Sequence, residues 1–248
     1  MTLFNDMLKR ITLKELLSVI IILFVIQYLI NTLNIIHIDI VWVYILIIFY
    51  FIFKLKDGLA TIRGDVRKLF NWKLLENILI IVILNIFVSY GMLYFSNFIL
   101  KTTALNFASN SLFTGAAAAI VISPISEELI FRGVFLNRLK LIVPTVFAVL
   151  ISSLLFASLH SFGSIFSAFV FAVCIAILYL KTDNILVPMF AHFLNNLFAA
   201  IIVFMDSNNI LFTNDMVILI MSALAIVSLV LILICVAGQL KILNINDG

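Results

Sequence analysis

Three short strings set ionisable and amide side chains inside otherwise apolar runs: Glu127-Glu128-Leu129-Ile130-Phe131-Arg132, Phe156-Ala157-Ser158-Leu159-His160 and His192-Phe193-Leu194-Asn195-Asn196. A carboxylate, two imidazoles and an amide gathered in a low-dielectric interior can take a proton from water and stabilise an oxyanion. Helical geometry sorts the members. Positions four apart share a face, whereas neighbours are turned by about 100°. Glu128 and Arg132 therefore face each other as an ion pair. Glu127 points elsewhere and has no partner on its own helix, as a general base requires. His192 and Asn196 present two hydrogen-bonding groups side by side, and Phe156, one turn before His160, can wall the site.

Each string taken alone has an ordinary reading. A Glu–Arg pair at this spacing is commonly a structural clasp, a lone intramembrane histidine a satisfied core group, and an asparagine in a span interhelical glue. Charged and polar groups at membrane depth are costly and usually face a cavity or one another. Five such groups at helical spacing on three helices point to a shared site. The third histidine of the chain, His37, falls in a loop and is expected to be a surface residue.

The elements that must position these groups follow from composition. The 248 residues are 65% hydrophobic and 11% charged, far from the roughly 45–50% and 25% of a soluble domain, and the high hydrophobicity excludes intrinsic disorder. Continuous apolar runs approach the length that crosses a hydrocarbon core of about 30 Å. A transmembrane barrel would instead alternate apolar and polar residues. The runs cover roughly Leu16–Ile30, Ile40–Phe53, Ile78–Ile99, Leu112–Phe135, Ile142–Leu159, Ile165–Leu180, Ile185–Phe204 and Met216–Val236. The first is long and lacks a small-residue cleavage site, so it is expected to be retained as a span. The expectation is an all-α polytopic membrane bundle of about eight transmembrane helices, a single integral membrane domain over 1–248. Its only sizeable hydrophilic loop runs from Lys54 to Lys73. Cys174 and Cys235 lie within apolar runs and are expected to be buried small hydrophobes, not a disulfide or a metal pair.

Charge orients the bundle. With the N-terminus inside and eight crossings, Lys9, Arg10, Lys14, Lys54, Lys56, Arg63, Arg67, Lys68, Lys73, Arg138, Lys140, Lys181 and Lys241 all fall on the cytoplasmic side. That is thirteen of the fifteen Lys and Arg residues. Lys101 falls outside and Arg132 lies within a span. Both termini are therefore expected in the cytoplasm, in a multi-pass protein of the cell membrane. A net charge of +3 gives no ground for nucleic-acid binding.

Glu-Glu-x-x-x-Arg, Phe-x-x-x-His and His-x-x-x-Asn, complete and in this order on separate apolar helices, resemble the CPBP family of CAAX proteases and bacteriocin-processing enzymes. It is also called the Abi or type II CAAX prenyl endopeptidase family. The resemblance covers roughly Leu112 to Phe204, the expected catalytic core at 112–204. It implies an intramembrane endopeptidase in which Glu127 and His160 activate the attacking water. His192 and Asn196 would then form the oxyanion hole, and Glu128 and Arg132 would hold the first string in place. There is no His-Glu-x-x-His string. Glu127, His160 and His192 could alternatively hold Zn2+ with an open position. The His-x-x-x-Asn pair reads more naturally as hydrogen-bond donors, which favours a glutamate-activated water and no cofactor.

Depth sets a requirement. Lys140 to His160 is twenty residues, about 30 Å of helix, whereas Glu127 and His192 lie about 16 Å from their nearest inside charges. A common site needs the fifth helix to start late, tilt or shift; Pro144 suits a first turn, but a late start widens the mismatch unless the stretch before it stays outside the bilayer. The expected partners are the lipid bilayer and a membrane-associated peptide or protein substrate. The chain is rich in Ile, Asn, Phe and Lys and holds only 3 Pro and 8 Gly. Such usage fits an AT-rich bacterial genome and hence peptide maturation, bacteriocin or pheromone processing, or self-immunity. Two other classes use the same features: a non-catalytic scaffold, immunity or regulatory protein, and a small proton-coupled transporter. An intact Glu127 and His160 speaks against the first. The lack of paired Gly/Pro-broken helices in two matching halves speaks against the second.

Overall fold

The computed structural model describes residues 2–34, 36–99, 115, 117–160 and 165–246. Among them every regular element is helical. In chain order these are α1 (Leu3–Arg10), α2 (Leu13–Thr32), α3 (Ile40–Lys54), a 3-10 segment (Lys56–Thr61), α4 (Ile62–Leu69), α5 (Trp72–Ile99) and α6 (118–139). They are followed by α7 (Thr145–Ser158), α8 (Ile165–Thr182), α9 (Leu186–Met205), α10 (Ile210–Thr213) and α11 (Asp215–Asn246).

Each of the eight apolar runs has a helix at its place. Five helices, α2, α5, α8, α9 and α11, are long and apolar enough to cross a membrane. α3 and α7 are apolar but only 15 and 14 residues long. The expected start of the fourth run at Leu112 lies outside the described residues, as does Lys101. At its other end the helix continues past Phe135 to Leu139. The fifth helix begins at Thr145, not Ile142. Pro144 supplies no N–H and directly precedes the first turn, and Leu141 and Ile142 sit exposed in the turn before it.

α8 is the most buried of the five long helices and α2 among the least, its Ile21, Ile22, Val25 and Tyr28 turned outward. α5 and α11 share the largest helix pair interface. Gly91 allows it: a Cβ there would stand 2.4 Å from the Ala225 Cβ. Cys174 is buried, but Cys235 is exposed on α11 and both thiols are free. The expectation that both are buried fails for Cys235, because α11 presents much of its length to the surroundings.

The polar ends of the chain are more structured than their composition suggests. α1 is capped by Thr2, whose side chain accepts from Asn5 N–H, and it docks beneath the bundle. Asn5 is fully buried; its amide donates to Asp65 Oδ2 over 2.7 Å, and its Oδ1 accepts the Ile185 N–H over 3.1 Å. Leu8, also fully buried, packs on Gly133, where a Cβ would approach Leu8 Cδ2 to 2.7 Å. The hydrophilic stretch Lys54–Lys73 is likewise ordered: it holds the 3-10 segment and α4, with Asp65 buried as the partner of Thr2 and Asn5.

Candidate active site

α6, which carries the first string, departs from α geometry twice. Ala118–Ile122 and Leu129–Leu136 form π turns, flanking the α segment Ser123–Glu128. A π turn widens the helix and leaves carbonyls to be satisfied from outside, and such turns are frequent at functional sites. The Asn137 amide reaches the carbonyls of Arg132 and Gly133 at 3.0 and 2.8 Å, and Ser152 Oγ on α7 donates to that of Phe131 at 3.2 Å. These donors supply hydrogen bonds to carbonyls of the widened turn from outside its own backbone.

Glu128 and Arg132 form the expected pair: Arg132 Nη1 donates to Glu128 Oε1 over 3.0 Å, and both side chains are fully buried. The guanidinium is held on two further sides. Nη2 donates to the Ala172 carbonyl on α8 over 3.1 Å, and Cζ lies 4.4 Å from the centroid of the Phe156 ring, a cation–π contact strengthened by desolvation. Glu128 Oε1 is also 2.9 Å from His192 Nδ1. Arg132 donates to that same oxygen, which serves as an acceptor there, so His192 Nδ1 is the donor in this contact.

The second glutamate stands differently. Glu127 Oε2 lies 3.5 Å from His160 Nε2, and these side chains are 12% and 27% exposed against 0% for Glu128. His160 Nδ1 is 2.8 Å from the Phe156 carbonyl, an acceptor only, so that nitrogen bears hydrogen. In the neutral ring Nε2 then offers a lone pair toward Glu127. Glu127 Oε2 has no hydrogen-bond partner among the described residues. One donor atom from each of Glu127, His160 and His192 lies within 4.8 Å of the other two.

Phe156 does wall the site. Its ring stacks on His160 with centroids 4.3 Å apart and meets His192 edge-on at 5.5 Å. Asn196 shares the His192 face, and its amide donates to the Ala119 carbonyl over 2.9 Å. Glu127, Glu128, Arg132, Phe156, His160 and His192 thus meet at one place, and Asn196 lies one helical turn along α9 from His192. The fifth helix does start late, at Thr145, and His160 sits just past its end, beside Glu127.

Three contributors escaped the sequence. The Ala172 carbonyl is backbone and leaves no side-chain signal. Tyr44 on α3 comes within side-chain hydrogen-bonding reach of Glu127, but a tyrosine in an apolar run carries no distinguishing pattern. Asn85 did carry a signal, being an amide in the middle of the third run, and its amide donates to Asn195 Oδ1 over 2.9 Å. Beside the site an apolar cavity of about 530 Å³ is lined by Ile48, Pro124, Ile125, Met189, Phe190 and Phe193, so it adjoins the turn of α6 that carries the two glutamates.

Residues 108–198 match the model of the family Type II CAAX prenyl endopeptidase Rce1-like. The match spans just over a third of the chain, the stretch that holds all three strings, and it bears out the family resemblance read from them. Neither the curated proteins nor the solved structures compared with this chain include a match.

Proposed function

We propose that this chain, matching a CAAX-type membrane protease family over the residues that converge at the site, is an intramembrane endopeptidase. The observation that carries the proposal is the meeting of Glu127 Oε2 and His160 Nε2, 3.5 Å apart and partly accessible, beside the ring of His192. A water held by both acceptors donates one hydrogen to each, which turns its lone pair outward. That pair attacks the scissile carbonyl carbon; a C–O bond forms and the carbonyl electrons move onto oxygen. Glu127 takes one water proton; as the oxyanion collapses to a carbonyl and the C–N bond breaks, it delivers that proton to the departing amine, leaving an amine and a carboxylic acid that keeps the second water hydrogen. Asn196 retains an amide hydrogen beyond the one given to Ala119 and donates it to the oxyanion. Glu128 and Arg132 hold α6 and orient His192.

The bilayer places substrate and site together. Thirteen of the fifteen cationic residues lie on one side if the eight apolar helices all cross and both termini are cytoplasmic. The apolar cavity next to Pro124 and Ile125 suits the hydrophobic part of a membrane-associated peptide. Maturation of a leader, bacteriocin or pheromone precursor, or self-immunity, fits such a substrate.

A second reading, with metal, is favoured by one observation. Both imidazoles use Nδ1 as donor, His160 to a carbonyl and His192 to a carboxylate, which leaves Nε2 as a lone pair in each neutral ring. To serve an oxyanion His192 must carry a proton on Nε2 as well. A carboxylate behind a histidine is also the usual outer partner of a metal ligand. Glu127, His160 and His192 would hold Zn2+, which would polarise water and carbonyl there.

The two readings separate on metal content. Purified protein in detergent, assayed on a fluorogenic peptide after excess EDTA or phenanthroline, keeps its activity under the glutamate reading and contains far less than one zinc per chain. Stoichiometric zinc, lost in His160→Ala and His192→Ala and restored with activity on adding metal, would overturn the glutamate reading. Comparing the membrane peptidomes of cells with wild type and Glu127→Ala tests the peptidase itself. Identical peptidomes, together with an inert purified protein, would sink it.

A further inference from the structure

The proposed reaction leaves Asn195 unused, although it lies beside Asn196 in the third string. Adjacent helical positions point about 100° apart, so Asn195 faces away from the water-activating pair. It is not idle. Its Nδ2 donates to Asn196 Oδ1 over 3.3 Å, and its Oδ1 accepts from Asn85 Nδ2 over 2.9 Å. Asn85 is only 3% exposed and sits on α5, outside the stretch matched by the family. Three amides thus run in a line from α5 through α9 to α6, ending on the Ala119 carbonyl.

The direction of that line is set at its Ala119 end. In the first π turn of α6 the Ser123 N–H reaches back five residues to the Ala118 carbonyl. The residue that would serve Ala119 in the same register is Pro124, which has no N–H. The Ala119 carbonyl therefore needs a donor from elsewhere, and a carbonyl can only accept. Asn196 must turn its NH2 toward it. Asn196 Oδ1 then points to Asn195, which must donate, and Asn195 Oδ1 in turn must accept from Asn85. Every amide along the line has one permitted orientation.

We infer that Asn85 and Asn195 are positioning residues for the oxyanion donor: together with the Ala119 carbonyl they hold the amide of Asn196 so that its nitrogen, not its oxygen, is presented at the site. A flipped Asn196 would aim a carbonyl oxygen at the developing negative charge. This inference rests on the peptidase reading and adds to it a relay that reaches the site from a helix beyond the three strings.

The test uses the full chain in detergent with a fluorogenic peptide. In Asn195→Leu and Asn85→Leu, kcat falls at least about tenfold with KM little changed, short of the about hundred- to thousand-fold expected for losing an oxyanion donor outright. In an Asn196→Ala background neither change lowers kcat further. Asn195→Asp is the sharper variant. It keeps the shape but can only accept, so it calls the Asn196 nitrogen away from Ala119 and loses at least as much kcat as Asn195→Leu. A merely structural role for Asn195 would make this isostere the mildest of the set. Unchanged kcat in both leucine variants, or equal losses with and without Asn196, would overturn the inference. Thermal unfolding decides the relay independently of turnover: the midpoint shifts of Asn195→Leu and Asn196→Ala are non-additive if the two amides are bonded, and additive shifts overturn it. A wild type that cleaves nothing would count against the peptidase reading, while the unfolding cycle still decides the relay.

Discussion

Glu127 and Glu128 are consecutive residues of one helix, yet they occupy two different kinds of surroundings. Glu128 is sealed; its one oxygen serves Arg132 and His192 together, and the guanidinium is pressed on Phe156 and tied to the Ala172 carbonyl. Each glutamate keeps one oxygen, Oε2, without a hydrogen-bond partner among the described residues, but Glu127 faces His160 instead of a guanidinium and stays partly open to its surroundings. The contrast shows how one turn of about 100° divides labour in a membrane. A carboxylate tied to a guanidinium and an imidazole in a dry interior organises the helices. A carboxylate at the partly open edge of the same interior is placed to act on a bound molecule. His192 touches both regions, receiving its orientation from Glu128 and completing the cluster with Glu127 and His160.

The largest effect should come from Glu127→Gln, which removes the base and leaves the sealed pair alone. Peptide cleavage should fall by about a hundred- to ten-thousand-fold, with the thermal unfolding midpoint close to wild type. A midpoint that drops sharply, with normal turnover in the surviving protein, would reverse the two roles. Glu128→Gln should act on the fold first. It strands Arg132 in the interior, and breaking a buried pair costs about 3–5 kcal/mol, to be read from unfolding in detergent and from yield. Replacing both partners, Glu128→Leu with Arg132→Met, should recover much of that stability, because an apolar pair need not be solvated or matched. Cleavage should stay low, since His192 has then lost the carboxylate behind it. Recovery of full activity in the double variant would show that the sealed pair does nothing for the site beyond holding it together. Phe156→Leu touches both regions through its ring and should give the smallest change. Loss of a desolvated cation–π contact is worth about 0.5–2 kcal/mol, hence a roughly two- to thirtyfold fall in rate with a modest shift in midpoint.

The division between the glutamates was legible in the sequence, because the spacing of Glu128 and Arg132 excludes Glu127 from the pair. The convergence of His160 and His192 with them was legible as a set of costly groups that need one another. The apolar runs marked helices over nearly all of the bundle, and polar composition concealed the rest. α1 and the Lys54–Lys73 stretch look like solvated tails and loops by residue type, and their order comes from long-range partners such as Asn5 with Asp65 and Ile185. The π turns of α6 have no periodic signature; they are stabilised by Asn137 and Ser152, whose roles appear only once α7 and α8 are packed against the helix. Pro144 marks the late start of α7, since a proline is suited to the beginning of a helix.

The docking of α1 carries a consequence for how the chain matures. Asn5 closes its contacts on the backbone of Ile185, 180 residues further along. At about 5–20 residues per second of synthesis, the first helix waits about 9 to 36 seconds before its receptor exists. For that time the faces of Phe4 and Leu8, later buried against the rest of the protein, have only a membrane surface to cover them. The seal beneath α6 is therefore among the last parts of the molecule to form, and changes that weaken it should show as slow maturation and loss to proteolysis before they show as a defect in the finished protein.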